Sequence, residues 1–257
     1  MLFDPLPFWK RGASATTGLL ALVLGWHLVV AFGLVPDLLL PPPLNVGEAL
    51  LDSLGSASFW QGVSATVWTW LVGVLFGGLA GGATGLCVGF NRYIWSAVEP
   101  WVEFLRSLPS VVLVPLVSLF LGVGVSSRVV CSGLVVFVLM VSSAATAVRS
   151  TKSAHLKLAS AWRATRLQAV WIFIIPAVLS HMALALRAAI PIALIVAVAA
   201  DMLIATESGL GKTIMDSLAV FDTARMYAAI LVVGLLGYLA AALGTHVERL
   251  AIHWSGA

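Results

Sequence analysis

Charge is what this sequence has least of. Only 10% of its 257 residues are Asp, Glu, Lys or Arg, against 61% that are hydrophobic, and mean hydropathy is +1.06. A water-soluble domain carries about 25% charged residues, because its surface must face water. This chain cannot cover itself with polar surface, so most of its solvent must be lipid. Cysteine is nearly absent as well. Cys87 and Cys131 both lie in apolar runs with no metal-ligand spacing, which excludes a disulfide framework and predicts small buried packing residues. The histidines His27, His155, His181, His246 and His253 share no ligand spacing either. No nucleophile, base and acid can be assembled, so neither a catalytic set nor a metal site is expected in this chain.

Long apolar runs are what the sequence does have. A helical span needs about 20 mostly apolar residues, and unpaired backbone groups are too costly in lipid for anything but helices or closed barrels. Residues 14–35, 63–90, 105–121, 129–148, 177–200 and 226–247 meet that test. The expected fold is therefore all-α, a polytopic membrane protein of about six transmembrane helices forming one domain over 1–257. The third run holds Pro109 and Pro115 and begins among Glu99, Glu103 and Arg106, which predicts a helix broken or bent there. Lys10 and Arg11 precede the first run in the manner of a signal peptide. That run is longer than a signal's apolar region and has no small-x-small cleavage site, so it is expected to stay as the first span.

Lys and Arg set the orientation. One side of this arrangement carries Lys10, Arg11, Arg92, Arg149, Lys152, Lys157, Arg163, Arg166 and Arg249. The other has only Arg128, Lys212 and Arg225. Both termini and the 149–176 loop are thus expected in the cytoplasm, and the basic pI near 9.1 reports topology rather than nucleic-acid binding. On the opposite face, residues 36–62 read as a Pro-rich linker (40–43) and a short amphipathic helix (45–54) that Asn45 could cap. Residues 201–225 read as a re-entrant turn. Several tryptophans, among them Trp9, Trp60, Trp95, Trp101 and Trp254, stand near span ends, where interfacial anchoring accounts for them.

Charges within the spans are expensive and point to function by default. Arg187 lies about 15 Å into the fifth span by helix rise, where it could face an anion in a pore or be held by carbonyls or a carboxylate elsewhere in the bundle. Asp201, near the outer end, could be solvated or belong to an outer gate. Arg106 and Pro109 mark the break in the third span and join Arg187 and Asp201 as pore or gate candidates, and Glu103 and Arg106 are spaced for an i, i+3 ion pair. Gly77, Gly78, Gly81, Gly82, Gly85 and Gly89 line the second span at helical spacing and allow close helix approach, with packing favoured over a moving contact. Ser208-Gly-Leu-Gly-Lys-Thr looks like the end of a phosphate-binding loop, but Thr206 stands where the pattern needs glycine. No nucleotide site is expected in this chain.

The 153–175 stretch pairs a basic face (Lys157, Arg163, Arg166) with an apolar one (Leu156, Ala159, Leu167, Val170, Ile174). Periodicity alone leaves a lipid-surface helix and a partner-docking helix equally open. Its segment Ala159-Ser-Ala-Trp-Arg-Ala-Thr-Arg-Leu-Gln, ending in Ile174-Ile-Pro-Ala, is similar to the cytoplasmic loop of ABC importer permeases. Further pieces follow in order: Leu40-Pro-Pro-Pro, Leu105-Arg-Ser-Leu-Pro-Ser, Val114-Pro-Leu, Phe120-Leu-Gly-Val-Gly, Ala199-Ala-Asp-Met-Leu and Ser208-Gly-Leu-Gly. Together, over roughly residues 36–250, they resemble the nitrate/taurine/aliphatic-sulfonate branch of those permeases.

The resemblance implies a type I importer permease working by alternating access on a small anionic solute such as a sulfonate, taurine or nitrate. It implies a second permease, the same chain or another, as dimer partner. A separate ATP-binding subunit would hold ATP and Mg, and a periplasmic or lipid-anchored binding protein would deliver the solute. Lys157, Ala159, Ala161, Trp162, Arg163, Ala164 and Arg166 would form the contact with the ATPase. Lys157 stands where the motif has Glu, and Arg163 where it has Gly. An acidic ATPase groove, a more regular second permease or a degenerate copy would each accommodate this. The second is the expectation, because one regular loop could still couple a heterodimer. A secondary transporter or channel is the alternative and would need a relay of intramembrane acids, which Asp201 alone does not supply. An intramembrane enzyme would need the catalytic set already excluded.

Overall fold

The computed structural model describes residues 8–162, 165, 168, 172, 175–204 and 206–251. Among them there is no β-strand. Helix α1 spans Phe8–Ala31, α2 Pro43–Gly55, α3 Ala57–Phe90, α4 Arg92–Ser107, α5 Val114–Leu121 and α6 Val125–Ala161. Helices α7 (Ile175–Leu203), α8 (Leu210–Ala219) and α9 (Thr223–Ala251) follow. Four stretches within these are long and apolar enough to cross a membrane: Ala57–Phe90, Val125–Ser150, Val178–Leu203 and Thr223–Ala251. A bent pair, Arg92–Ser107 with Ser110–Leu121, makes a fifth candidate, and α1 adds a shorter apolar helix over Thr16–Ala31.

Local chemistry explains most of the boundaries. Ser56 starts α3 by accepting from the Phe59 N–H at 3.3 Å, and Asn91 starts α4 by accepting from the Tyr93 and Ile94 N–H groups. The expected break in the third run is present. Leu108 turns extended before Pro109, as pre-proline sterics demand, and the axis bends by 98° between Ser107 and Ser110, where a 3-10 turn at Ser110–Leu113 begins the second arm. The run nevertheless begins further back than expected: residues 92–104, ahead of the expected 105–121 run, already belong to α4. Asn45 caps nothing, because α2 begins earlier at Pro43, whose missing N–H suits the first turn.

The larger departure is at the other end of the fourth run. No break follows residue 148, and α6, 37 residues long in all, runs on to Ala161. Nothing in the 149–161 sequence stops it, since Gly and Pro are both absent there.

Helix α6 is the axis of the bundle, with α3 on one side and α7 on the other. The glycine stripe of α3 is pressed against α6 backbone. A Cβ on Gly81 would stand 2.5 Å from the Phe137 carbonyl oxygen, and one on Gly85 would stand 2.6 Å from that of Val141. Gly77 and Gly89 approach α6 in the same way, whereas Gly78 and Gly82 lie nearest the Leu186 and Met182 side chains of α7. Trp70 of α3 donates its indole N–H to the Ile190 carbonyl at 2.9 Å and joins Val136, Met140, Ala193, Leu194 and Ala197 in the largest core cluster. Within α7, Pro191 offers no N–H to the Arg187 carbonyl. Gly244 of α9 makes its closest approach at that carbonyl, where a Cβ would lie 2.8 Å away. Cys131 is buried as expected, whereas Cys87 is exposed on this chain. Helix α1 stands apart: Trp26 bonds the Pro41 carbonyl, while Leu19, Leu20 and Leu22 are exposed.

Candidate functional site

Three charged sites interrupt the apolar bundle, and the structure keeps them separate. The first is a buried clamp. Asp201, near the end of α7, accepts from an Arg128 Nη1 hydrogen at 2.9 Å and from the Thr66 hydroxyl at 2.5 Å. Side-chain exposures of 4% for Arg128 and 0% for Asp201 rule out the solvated position considered for Asp201. Arg128 also donates to the Ser208 carbonyl at 2.9 Å, and Thr66 Oγ1 accepts from the Leu210 N–H at 2.9 Å. One network thus joins α3, α6, α7 and the turn leading into α8. Gly209 enters that turn at φ +154°, and a Cβ on it would come within 2.5 Å of the Asp201 carboxylate.

This geometry disposes of the phosphate-loop resemblance. The glycine that would cradle a phosphate is packed against a carboxylate, and Lys212 is paired with Asp216. Beside the clamp, a polar cavity of about 380 Å³ opens between the start of α3, residues 207–217 and the start of α9, lined by Gln61, Glu207, Lys212, Asp216, Asp222 and Arg225 among others.

The second site is the elbow at Pro109. Arg106 pairs with Glu103 at 2.7 Å, the expected i, i+3 contact, and the same Nη1 donates to Ser142 of α6 at 3.2 Å. Next to it, Ser142, Ser143, Thr146 and Ser150 line a cavity of about 370 Å³ with His181 of α7. Pro109 acts through the backbone, by ending α4 just beyond Arg106, while α4 itself packs against α6 through Trp95 and Val102.

At the third site Arg187 bonds Glu248 of α9 at 2.5 Å, with the arginine half exposed. A carboxylate elsewhere in the bundle is one of the two roles expected for it. Arg106, Arg187 and Asp201 share no bonding partner, so the pore candidates do not converge on a single site.

Of the coupling candidates, Lys157, Ala159 and Ala161 lie on the last turns of α6, and Trp162 follows them, exposed. Arg163, Ala164 and Arg166 lie outside the described residues.

Sequence reasoning missed Arg128, counted as a loop charge, and Thr66. Neither carried a signal beyond being polar in an apolar run. The Ser142, Thr146, Ser150 line did carry one: a spacing of four puts all three on one helical face.

These features define a helical membrane protein whose long central helix joins a buried clamp to a segment resembling a coupling loop. Residues 73–253 match the family described as binding-protein-dependent transport system inner membrane component, and the chain belongs to that family. It is an ABC importer permease. The taurine transport system permease protein TauC of Escherichia coli is 27% identical over 96% of this chain and 92% of its own length. The putative aliphatic sulfonates transport permease protein SsuC of Bacillus subtilis is 23% identical over 96% of this chain and 88% of its own. A solved structure of the MetNI methionine ABC transporter in an inward-facing conformation aligns at a TM-score of 0.60 and 18% identity, covering 75% of this chain and 96% of that one. It supports the type I importer fold.

Proposed function

We propose that this chain is the pore-forming permease of an ATP-driven importer for a small organic sulfonate, such as taurine or an alkanesulfonate. The observation that carries the solute class is the similarity to the taurine permease over 96% of the chain. ATP and its Mg bind on a separate ATPase subunit, and a binding protein delivers the solute to the face bearing the clamp. Both termini lie in the cytoplasm, as the Lys and Arg distribution requires.

The continuity of α6 supports the coupling mechanism. Its 37 residues span about 55 Å, while the hydrocarbon layer is about 30 Å thick. The helix therefore emerges well beyond the bilayer on the side of Ala161, within the segment where the ATPase docks. Its other end is held to α7 and to the 206–210 turn through Arg128. ATPase closure moves one end of this rod and alters the packing at the clamp, which makes alternating access a biased two-state equilibrium. Lys157 and Arg163 fit a heterodimer in which a second permease carries the regular coupling loop.

Affinity purification of the tagged chain in mild detergent tests this. An ATPase subunit should accompany it and be lost on deleting 153–170, and a second permease should be present in the same complex. Proteoliposomes of the complex should take up labelled taurine or an alkanesulfonate only with ATP and the binding protein. Flux through the chain alone without ATP would reject the importer in favour of a channel or secondary transporter.

A further inference from the structure

We infer that Arg106 and the cavities on either side of it form a transit site for an organic oxyanion with a short apolar tail. The inference rests on the importer function proposed above and assigns a solute contact within this chain.

Two cavities meet at this residue. The polar one, about 370 Å³, has Ser142, Ser143, Thr146, Ser150 and His181 on its walls. The other, about 170 Å³, is walled mainly by aliphatic side chains, Leu105, Leu113, Leu134, Val135 and Val138, with Ser110 and Cys131 among them, and Arg106 and Leu139 border both. A charged fork between a space with four hydroxyls on its walls and one with mostly aliphatic walls matches a solute with an anionic head and a short hydrocarbon tail. Small-solute pockets have that composition, with apolar walls and few oriented polar groups.

The hydrogen-bond inventory supports it. Arg106 spends Nη1 on Glu103 and Ser142, and its Nε and Nη2 hydrogens have no acceptor among the described residues. A guanidinium keeps a fork for two oxygens of one oxyanion in that state. Side-chain exposure of 42% leaves the fork open to an incoming solute. Ser143 donates to the His181 carbonyl, which ties that wall to α7.

Glu103, 2.7 Å from the same guanidinium, gives the site its second property. Its negative charge weakens anion binding, and a transport site must release what it binds. Helix α6 carries this wall as well as the clamp and the coupling segment, so a shift of α6 changes Arg106's distance from the hydroxyls.

The test uses proteoliposomes of the full complex, comparing uptake of methanesulfonate, butanesulfonate and taurine with one binding protein throughout. Arg106→Ala should lower the maximal uptake rate about tenfold, and Arg106→Lys should restore part of the loss. Glu103→Gln should tighten retention of the anion and slow its release. Leu113→Ala, which widens the apolar cavity, should raise the butanesulfonate to methanesulfonate ratio about threefold over wild type. Wild-type uptake by Arg106→Ala, or a chain-length ratio unmoved by Leu113→Ala, would overturn the transit site while leaving the importer intact. Loss of ATP-dependent uptake of every sulfonate by the wild-type complex would instead overturn the solute class, and the site with it. If Arg106→Ala fails to assemble, the chain-length ratio decides alone.

Discussion

Helix α7 carries two ion pairs, and they differ in almost everything but charge. Arg187 lies deep in the apolar run by sequence position, and its pair with Glu248 leaves the arginine 48% exposed. Asp201 lies near the end of the same run, yet its pair with Arg128 is sealed, at 0% and 4%. Depth along a span and burial inside the bundle are thus different quantities. Arg187 faces a boundary of this single chain, and its partner Glu248 stands just beyond the 226–247 run, where water or another subunit can screen the pair. Asp201 faces three helices and a turn, and every group around it is part of the fold. A sealed pair loses far more when one partner is removed than a screened one does.

The largest expected effect follows from the sealed pair. Arg128→Met leaves a buried carboxylate without its cation and should cost about 3–5 kcal/mol, read as a lower thermal midpoint in detergent and a poor folded yield. Replacing both partners, as Arg128→Met with Asp201→Leu, should recover more than half of that loss. A double variant no better than the single would mean the clamp is not a charge-balancing unit.

A smaller effect is expected along α3. Gly81→Val drives a side chain into α6 backbone and should cost about 1–3 kcal/mol. Gly78→Ala should change the midpoint little, because the nearest atom to its new Cβ is 3.7 Å away. Equal effects at the two glycines would show that the stripe tolerates separation of the helices.

The smallest effect belongs to the screened pair. Arg187→Gln should cost less than about 1 kcal/mol. Its difference from wild type should also shrink as salt is raised from low ionic strength, because exposed charges are screened. The Arg128→Met difference should hold across the same series. A salt-independent Arg187→Gln effect would indicate that a partner subunit covers this pair in the assembled transporter.

Legibility in the sequence followed the kind of physics involved. The break at Pro109 could be read because a proline lacks an N–H and restricts the residue before it, whatever surrounds it. The Glu103–Arg106 pair could be read because residues three apart on a helix are neighbours by geometry. Pairing of Arg128 with Asp201 could not, because 73 residues separate them and no local rule brings their helices together. The continuation of α6 past residue 148 was obscured by polarity: charges after an apolar run mark the edge of the membrane, but they do not end a helix.

By itself the sequence determined the solvent, the helical class, the approximate spans and the order of motifs that the family shares. Those depend on total hydropathy, backbone hydrogen bonding and local sterics, which hold in any packing arrangement. The tertiary structure alone decided which polar groups are sealed, which line cavities and which glycines touch another backbone. In a chain this apolar nearly every helical face suits either lipid or protein, so periodicity does not distinguish core from surface. Contacts between helices make that distinction, and with it they separate the clamp of Arg128 and Asp201 from the open fork of Arg106.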